Sequence, residues 1–542
     1  MIMCMCTTKH SLLSCLVLVF FIGQAECFSS KDALTTWTNC KRNLKSDSHL
    51  PKGLLSLSST TTGVEAASSS SLVEPVLDNS YSKNPLKRIK HLVSSLKQND
   101  DQTIIHEESL EKTGGVWKTT FLGQPAYGVS AYLPEMTSNL TKLEAKGYLT
   151  SSWPESVLNV LGRSSLIAAD TASDDFSTAR KIFLEALSTK SILSQSLPGI
   201  EETVERMRQH WQGCTKTGAI TIFAQDVSAI TYSVIAAAVF GPGALTDDDM
   251  KNLRKWSDNI GKGLFALPID KPIIRHIPFF RRYPRAMKAR AEMRGLLIEK
   301  IAERKNVIAN AGSDHEPVGM LDAFLLEGSL KGDQLVDFCV DNVILSIFAG
   351  YDTTASVSTN LILLLHEYAT SEELEQIRSE LDAFDMQSIT PTSIPAGGLL
   401  ECVPSLKSAI YESFRFRPVV GSTFRKTTEP IQLGRVAIPA NTTVQWSHLH
   451  GSNSPALYET RERACPLRFL STNEPPPFIF GYGKHKCPGQ FLAQIELVLV
   501  MKAFLCSFDF SLLPDQDIDP SIPFNSPKSG LKLHLTTRSK SP

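Results

Sequence analysis

The chain has 542 residues, a formal net charge of -1, 42% hydrophobic and 20% charged residues. That balance excludes bulk disorder and gives no basic excess of the kind that makes nucleic acid a main partner; it leaves room for one large enzyme domain behind a targeting segment. The eleven cysteines show no paired, zinc-like spacing, so most read as buried free thiols.

In chain order, Lys9 and His10 precede an apolar run at 12–22 that closes in Gly23, Gln24 and Ala25. A bilayer span needs about 20 apolar residues, so residues 1–27 read as a signal peptide or an uncleaved signal anchor. Residues 28–85 are rich in Ser and Thr and are expected to form a disordered leader or transit-like linker. A signal followed by such a stretch resembles the bipartite leader of algae whose plastids are secretory-derived. A plain signal and linker, with the endoplasmic reticulum membrane as destination, fits equally well. Folded sequence is expected over 86–540.

Runs at 116–122 and 126–130, separated by Gly123-Gln124-Pro125, predict a hairpin. Helical patterns dominate from about Pro154 to Glu412, among them 176–187, 201–212 and 285–304; Leu531, Leu533 and Leu535 alternate near the C-terminus. The fold class is therefore mainly α with a small β portion at both ends (α+β). Arg281, Arg282, Arg285, Lys288 and Arg290 follow an apolar stretch, a pattern shared by a solvated helix face and by one resting on a membrane.

Residues 333–368 read as one helix of roughly 35 residues, about 50 Å long. Inside it stands Ala349-Gly350-Tyr351-Asp352-Thr353-Thr354. Mid-helix glycine costs about 1 kcal/mol against alanine, so it implies a packing or functional reason, such as close approach of a ligand. A kinked helix with a threonine bonded back to the preceding turn is the competing explanation. Glu412 and Arg415 share one face of a helix that starts near Pro404 and stops before Pro418, as an ordinary surface pair also would.

The segment from Phe480 to Gly489, with Cys487 near its end, opens a helix running through Ala493 to about Phe504, with Pro488 where a first-turn proline is tolerated. A thiol ahead of a helix start faces unpaired N–H groups and the positive end of the dipole, which favour thiolate. Gly483 and Gly489 allow a tight turn and close approach to a flat cofactor, and Phe480 can shield the sulfur side of the ring.

Phe480, Gly483, His485, Cys487, Gly489 and Ala493, at this spacing, resemble the haem-binding signature of the cytochrome P450 superfamily. The resemblance implies the cytochrome P450 fold, with the long central helix across the haem. It makes Cys487 the axial ligand of the iron of haem b (iron protoporphyrin IX), its thiolate favouring O–O cleavage. Asp352 would relay protons and Thr353 would hydrogen-bond the oxygen being activated. His485, Arg180 and Arg425 would meet the haem propionates, with Phe176 standing where Trp or His is common. Glu412, Arg415 and Arg468 would form a buried structural network, Leu467 replacing the family's usual acid. Lys484 and Lys486 would flank a proximal face where an acidic electron donor docks.

Trp153-Pro154-Glu155-Ser156 and the segments 161–166 and 263–270 are similar to the branch of retinoic-acid hydroxylases and plant steroid-hormone oxidases. By that resemblance the substrate is lipophilic and terpenoid-derived (retinoid, carotenoid or sterol-like), and Phe265, Phe348, Ala349, Val419 and Val420 line its pocket. Dioxygen and an electron donor, NADPH-cytochrome P450 reductase or ferredoxin, complete the reaction; membrane association accompanies the signal anchor. Two alternatives stay open: a haem-thiolate isomerase or dehydratase that rearranges a peroxide, and a non-enzymatic haem carrier or sensor.

Overall fold

This computed structural model describes residues 72–77, 103–121, 124–266, 281–311, 315–452, 454, 456–458, 463–472, 474–521 and 524–539. All but Leu72 belong to a compact unit formed by Val73–Tyr81 and Asp100–Pro542; the remainder of the second unit, Met1–Leu72 with Ser82–Asn99, lies outside the described residues. The signal expected at 1–27 and nearly all of the leader expected at 28–85 are therefore outside them too.

The chain runs through strand β1 (Val76–Leu77), helix α1 (Thr103–Thr113), the hairpin β2 (Val116–Phe121) and β3 (Gln124–Ser130), α2 (Pro134–Ala145), β4 (Leu149–Ser151) and α3 (Glu155–Leu161). The helical body comprises α4 (Asp174–Ala186), α5 (Leu197–Thr217), a short strand β5 (Thr221–Ile222), α6 (Phe223–Phe240), α7 (Asp247–Gly263), α8 (Arg282–Ala311), α9 (Met320–Leu326), α10 (Gly332–Tyr368), α11 (Ser371–Ala383) and α12 (Pro404–Phe416). Then come β6 (Ser422–Thr427), β7 (Ile431–Leu433), β8 (Val436–Ile438), β9 (Thr443–Ser447), α13 (Gln490–Leu505), β10 (Phe508–Leu512) and β11 (Lys532–Thr537).

Local chemistry places several of these ends. Ser173 caps α4 by accepting from the Phe176 amide. Thr246 with Asp249 and Thr370 with Glu373 form capping boxes at α7 and α11, each satisfying two otherwise unpaired donors.

Strands from both ends of the sequence meet in one six-stranded sheet, ordered β1-β2-β3-β9-β6-β4. The predicted hairpin is its β2–β3 pair, in the register Val116 opposite Val129. β1 corrects the expected end of the leader at residue 85: Val76 and Leu77 pair in parallel with Trp117 and Lys118, and the Val73 amide donates to the Arg435 carbonyl at 2.9 Å. In the second sheet, β10-β11-β5, the alternating Leu531, Leu533 and Leu535 are all buried.

α10 is 37 residues long and buried along most of its length. α6 and α10 are both long and apolar enough to cross a membrane, but most of each is covered by the protein itself, as expected for core helices. α6 explains the mid-helix glycine. A Cβ on Gly350 would collide with Ile235 of α6, and the Thr231 hydroxyl of α6 donates to the Tyr351 carbonyl at 2.7 Å. Close approach of a neighbouring helix is thus one reason for glycine there. The basic run at the start of α8 is not uniformly solvated, since Arg290 turns inward to ion-pair with Asp341 of α10.

Candidate active site around Cys487

The turn before α13 and the middle of α10 face each other across a cavity of about 370 Å³ with a mostly apolar lining. Gly481 and Gly483 take positive φ, 69° and 59°, where other L residues are strained. The Cys487 amide donates to the Phe480 carbonyl at 2.8 Å, closing the turn that presents the thiol. α13 begins at Gln490 with Gly489 as its N-cap, so Pro488 stands just outside the helix and not in its first turn.

The surface that Cys487 exposes opens into this cavity, inside the protein. Burial pushes its thiol pKa up, opposed by the Gly489 amide, Arg180 and Lys486. A helix start alone therefore does not produce the expected thiolate; a metal ion displacing the proton would.

Ala349, Gly350, Thr353 and Thr354 of α10 form the opposite wall. Thr353 Oγ1 donates to the Ala349 carbonyl at 2.7 Å, so the back-bond and the cavity position coexist. Asp352 does not join it there. Successive helix positions are about 100° apart, and its side chain enters a separate polar pocket of about 180 Å³ with Ser356, Ser521, Ser526 and Lys528. Burial, then Asp258, raises its pKa to about 6, with Arg254 opposing. The expected acid–hydroxyl pair is thus split between two spaces.

Arg180, Arg425 and His485 share one stretch of the cavity lining. Arg180 donates to the Lys486 carbonyl. The Arg425 Nε donates to Glu144 Oε1 at 2.6 Å. His485 Nε2 lies 2.9 Å from the Thr171 hydroxyl; burial, with the charges of Arg425, Arg180 and Lys484, depresses its pKa far below the usual histidine value, so the ring is neutral. Phe176 packs its ring 4.8 Å from that imidazole.

Other predicted positions are distributed as follows. Phe480, Gly489, Ala349, Val419 and Val420 line the cavity, as do Trp153 and Phe183. Phe265 and Phe348 are not among its lining residues, a correction to the predicted pocket: Phe265 is 39% exposed and Phe348 stacks on Phe524 at 5.5 Å. Gly483 does not line it either. A side chain there would strike the Glu144 carboxylate, so this glycine makes room for a protein group. Glu412 is fully buried, accepting from Arg415 Nε at 2.7 Å and from Arg468 Nε at 3.1 Å. Glu474 receives the Arg468 Nη1 at 3.0 Å, giving that arginine the second acid that Leu467 does not supply.

Among the described residues, two buried acids beside the chamber escaped the sequence analysis. Glu144 stands between Lys142 and Lys146 in an ordinary-looking helix, and nothing local marks it. Glu496 interrupts an apolar run on α13, a visible signal. Burial raises its pKa well above the usual carboxylate value, the Thr354 hydroxyl opposing, and its Oε1 has no hydrogen-bond partner among the described residues.

The fold and this chamber together define a protein with room to enclose a flat, carboxylate-bearing group between a cysteine-bearing turn and the middle of a core helix. The chain belongs to the cytochrome P450 family, whose model matches residues 85–535. It is 26% identical over 448 residues to abscisic acid 8'-hydroxylase 1 of Arabidopsis thaliana, covering 81% of this chain and 87% of that protein. Putative cytochrome P450 120 of Synechocystis is 25% identical over 435 residues, covering 78% and 90%. The solved structure of retinoic acid bound cyanobacterial CYP120A1 superposes with a TM-score of 0.68 at 23% identity, covering 86% of this chain and all of that one. The family is one of monooxygenases and implies a haem iron. The residues present fit it, with a thiol on one wall, apolar side chains around it and arginines on the lining.

Proposed function

We propose that the protein inserts one atom of dioxygen into a lipophilic, terpenoid-derived molecule, retinoid, carotenoid or sterol-like, with haem b held through Cys487. The observation that carries this reading is the Cys487 thiol facing Thr353 across an apolar chamber. Bound haem iron supplies dioxygen activation. The chain's own residues supply the setting. Cys487 would give up its proton to hold the iron, and Arg180 and Arg425 would hold the propionates. Thr353 offers a hydroxyl on the α10 wall, Asp352 takes up and releases a proton near pH 6 on the far side of the same helix, and the apolar lining excludes water.

The substrate class rests on similarity to the abscisic acid hydroxylases and on the segments around Trp153 and Gly263. Trp153, Leu166 and Ile167 contribute an aromatic and aliphatic wall suited to an isoprenoid skeleton. Electrons come from a separate donor, NADPH-cytochrome P450 reductase or ferredoxin. Residues 1–72, ahead of β1, act as the targeting leader, to the endoplasmic reticulum membrane or a secretory-derived plastid. A fluorescent fusion of that segment separates the two destinations, and with them the two donors.

Cys487→Ala tests the core of the proposal. The reduced wild-type protein should give a strongly red-shifted carbonyl spectrum that the variant lacks; an unchanged spectrum in the variant would sink the reading. Titration of the wild type with terpenoids, retinoids, sterols and fatty acids should then show a haem spin-state shift for the first classes and not for fatty acids.

A further inference from the structure

Glu144 of α2 is 1% exposed, yet its carboxylate has three neighbours from distant parts of the chain. Oε1 accepts from Arg425 Nε at 2.6 Å and lies 3.7 Å from His485 Nε2. Oε2 accepts from the Lys484 backbone amide at 2.9 Å. Gly483 is packed against that oxygen at a positive φ, where any side chain would strike it. Arg425, His485 and Lys484 all line the chamber. One buried acid thus ties the cysteine turn to β6 and occupies the groups that would receive a carboxylate-bearing cofactor.

We infer that Glu144 is a positioning residue that sets the charge at the haem edge, sharing Arg425 with the propionates and holding the haem reduction potential low. This rests on the assignment of Cys487 as haem ligand. The argument is electrostatic. A fixed negative charge disfavours adding an electron nearby, and the buried setting screens it weakly. Glu144 offsets the charge of Arg425, whose Nε donates to it at 2.6 Å. Without it, that guanidinium would favour the reduced haem.

The full-length holoprotein tests this through the haem midpoint potential and the rate of haem transfer to excess apomyoglobin. Glu144→Gln removes the charge at nearly constant volume and should move the potential to more positive values and speed haem loss several-fold. Glu144→Asp keeps the charge and should retain the wild-type potential. A Glu144→Gln protein that gives the red-shifted carbonyl spectrum with an unmoved potential overturns the inference and leaves the Cys487 assignment standing. An equal shift in Glu144→Asp, which marks packing and not charge, also overturns it. Absence of that spectrum in the wild type overturns both. If Glu144→Gln does not retain haem, Glu144→Asp carries the test: a wild-type potential supports the charge role and a positive shift overturns it.

Discussion

Asp352 and Thr353 are neighbours in sequence with separable roles. The Asp352 pKa of about 6 exceeds the value near 3.9 expected for an unfolded chain. Between these pH values the folded state binds more protons, so the stability contributed by the neutral carboxyl is complete below about pH 4 and is lost as pH rises through 6. Asp352→Asn, neutral at every pH, should be more stable than wild type at pH 8 by about 1–3 kcal/mol, with the gap closing toward pH 4. Denaturant unfolding across that range checks it; a gap independent of pH would assign the titration elsewhere. Thr353→Ala should keep the red-shifted carbonyl spectrum while diverting reducing equivalents to peroxide. Product formed per NADPH, with peroxide measured in parallel, decides. Fully coupled turnover would remove Thr353 from proton delivery without touching Cys487.

Between elements, the α6–α10 contact positions the distal wall. Gly350 lets Ile235 reach the α10 backbone, and Thr231 bonds the Tyr351 carbonyl one residue further on. Gly350→Ala gains helix propensity of about 1 kcal/mol but overpacks this contact, at a cost of about 1–3 kcal/mol. A net loss of stability is expected, and Ile235→Ala in the same chain should relieve part of it, as denaturant midpoints would show. Additive losses would mean that the two residues do not meet. The helices themselves were legible because their causes are local: apolar periodicity and the prolines bounding α12. The ion-pair network was legible only in outline, since Glu412 and Arg415 lie on one helix face while Glu474 reaches Arg468 from a separate segment.

Across the whole molecule, β1 extends the sheet at its edge and Val76 packs on the buried Trp117. A chain starting at Val73 should retain the thermal stability of the full protein. One starting at Asp100 should lose about 1–3 kcal/mol from the lost Val76 cover on Trp117 and the missing strand pairing, seen as a lower Tm and increased Trp fluorescence quenching. Equal Tm values would show that β1 contributes nothing.

The sequence by itself determined the fold class, the long core helix and the cysteine turn, because each is written in a contiguous run whose chemistry acts on its own neighbours. Only the tertiary structure decided which side chains share a space. It separated Asp352 from Thr353 by one helical step, moved Phe265 and Phe348 out of the pocket, and raised the Cys487 pKa through burial that no local motif encodes. It also brought Glu144 to Arg425 and Lys484 across separations of 281 and 340 residues, contacts that exist only once the β6 sheet and the cysteine turn have closed on α2.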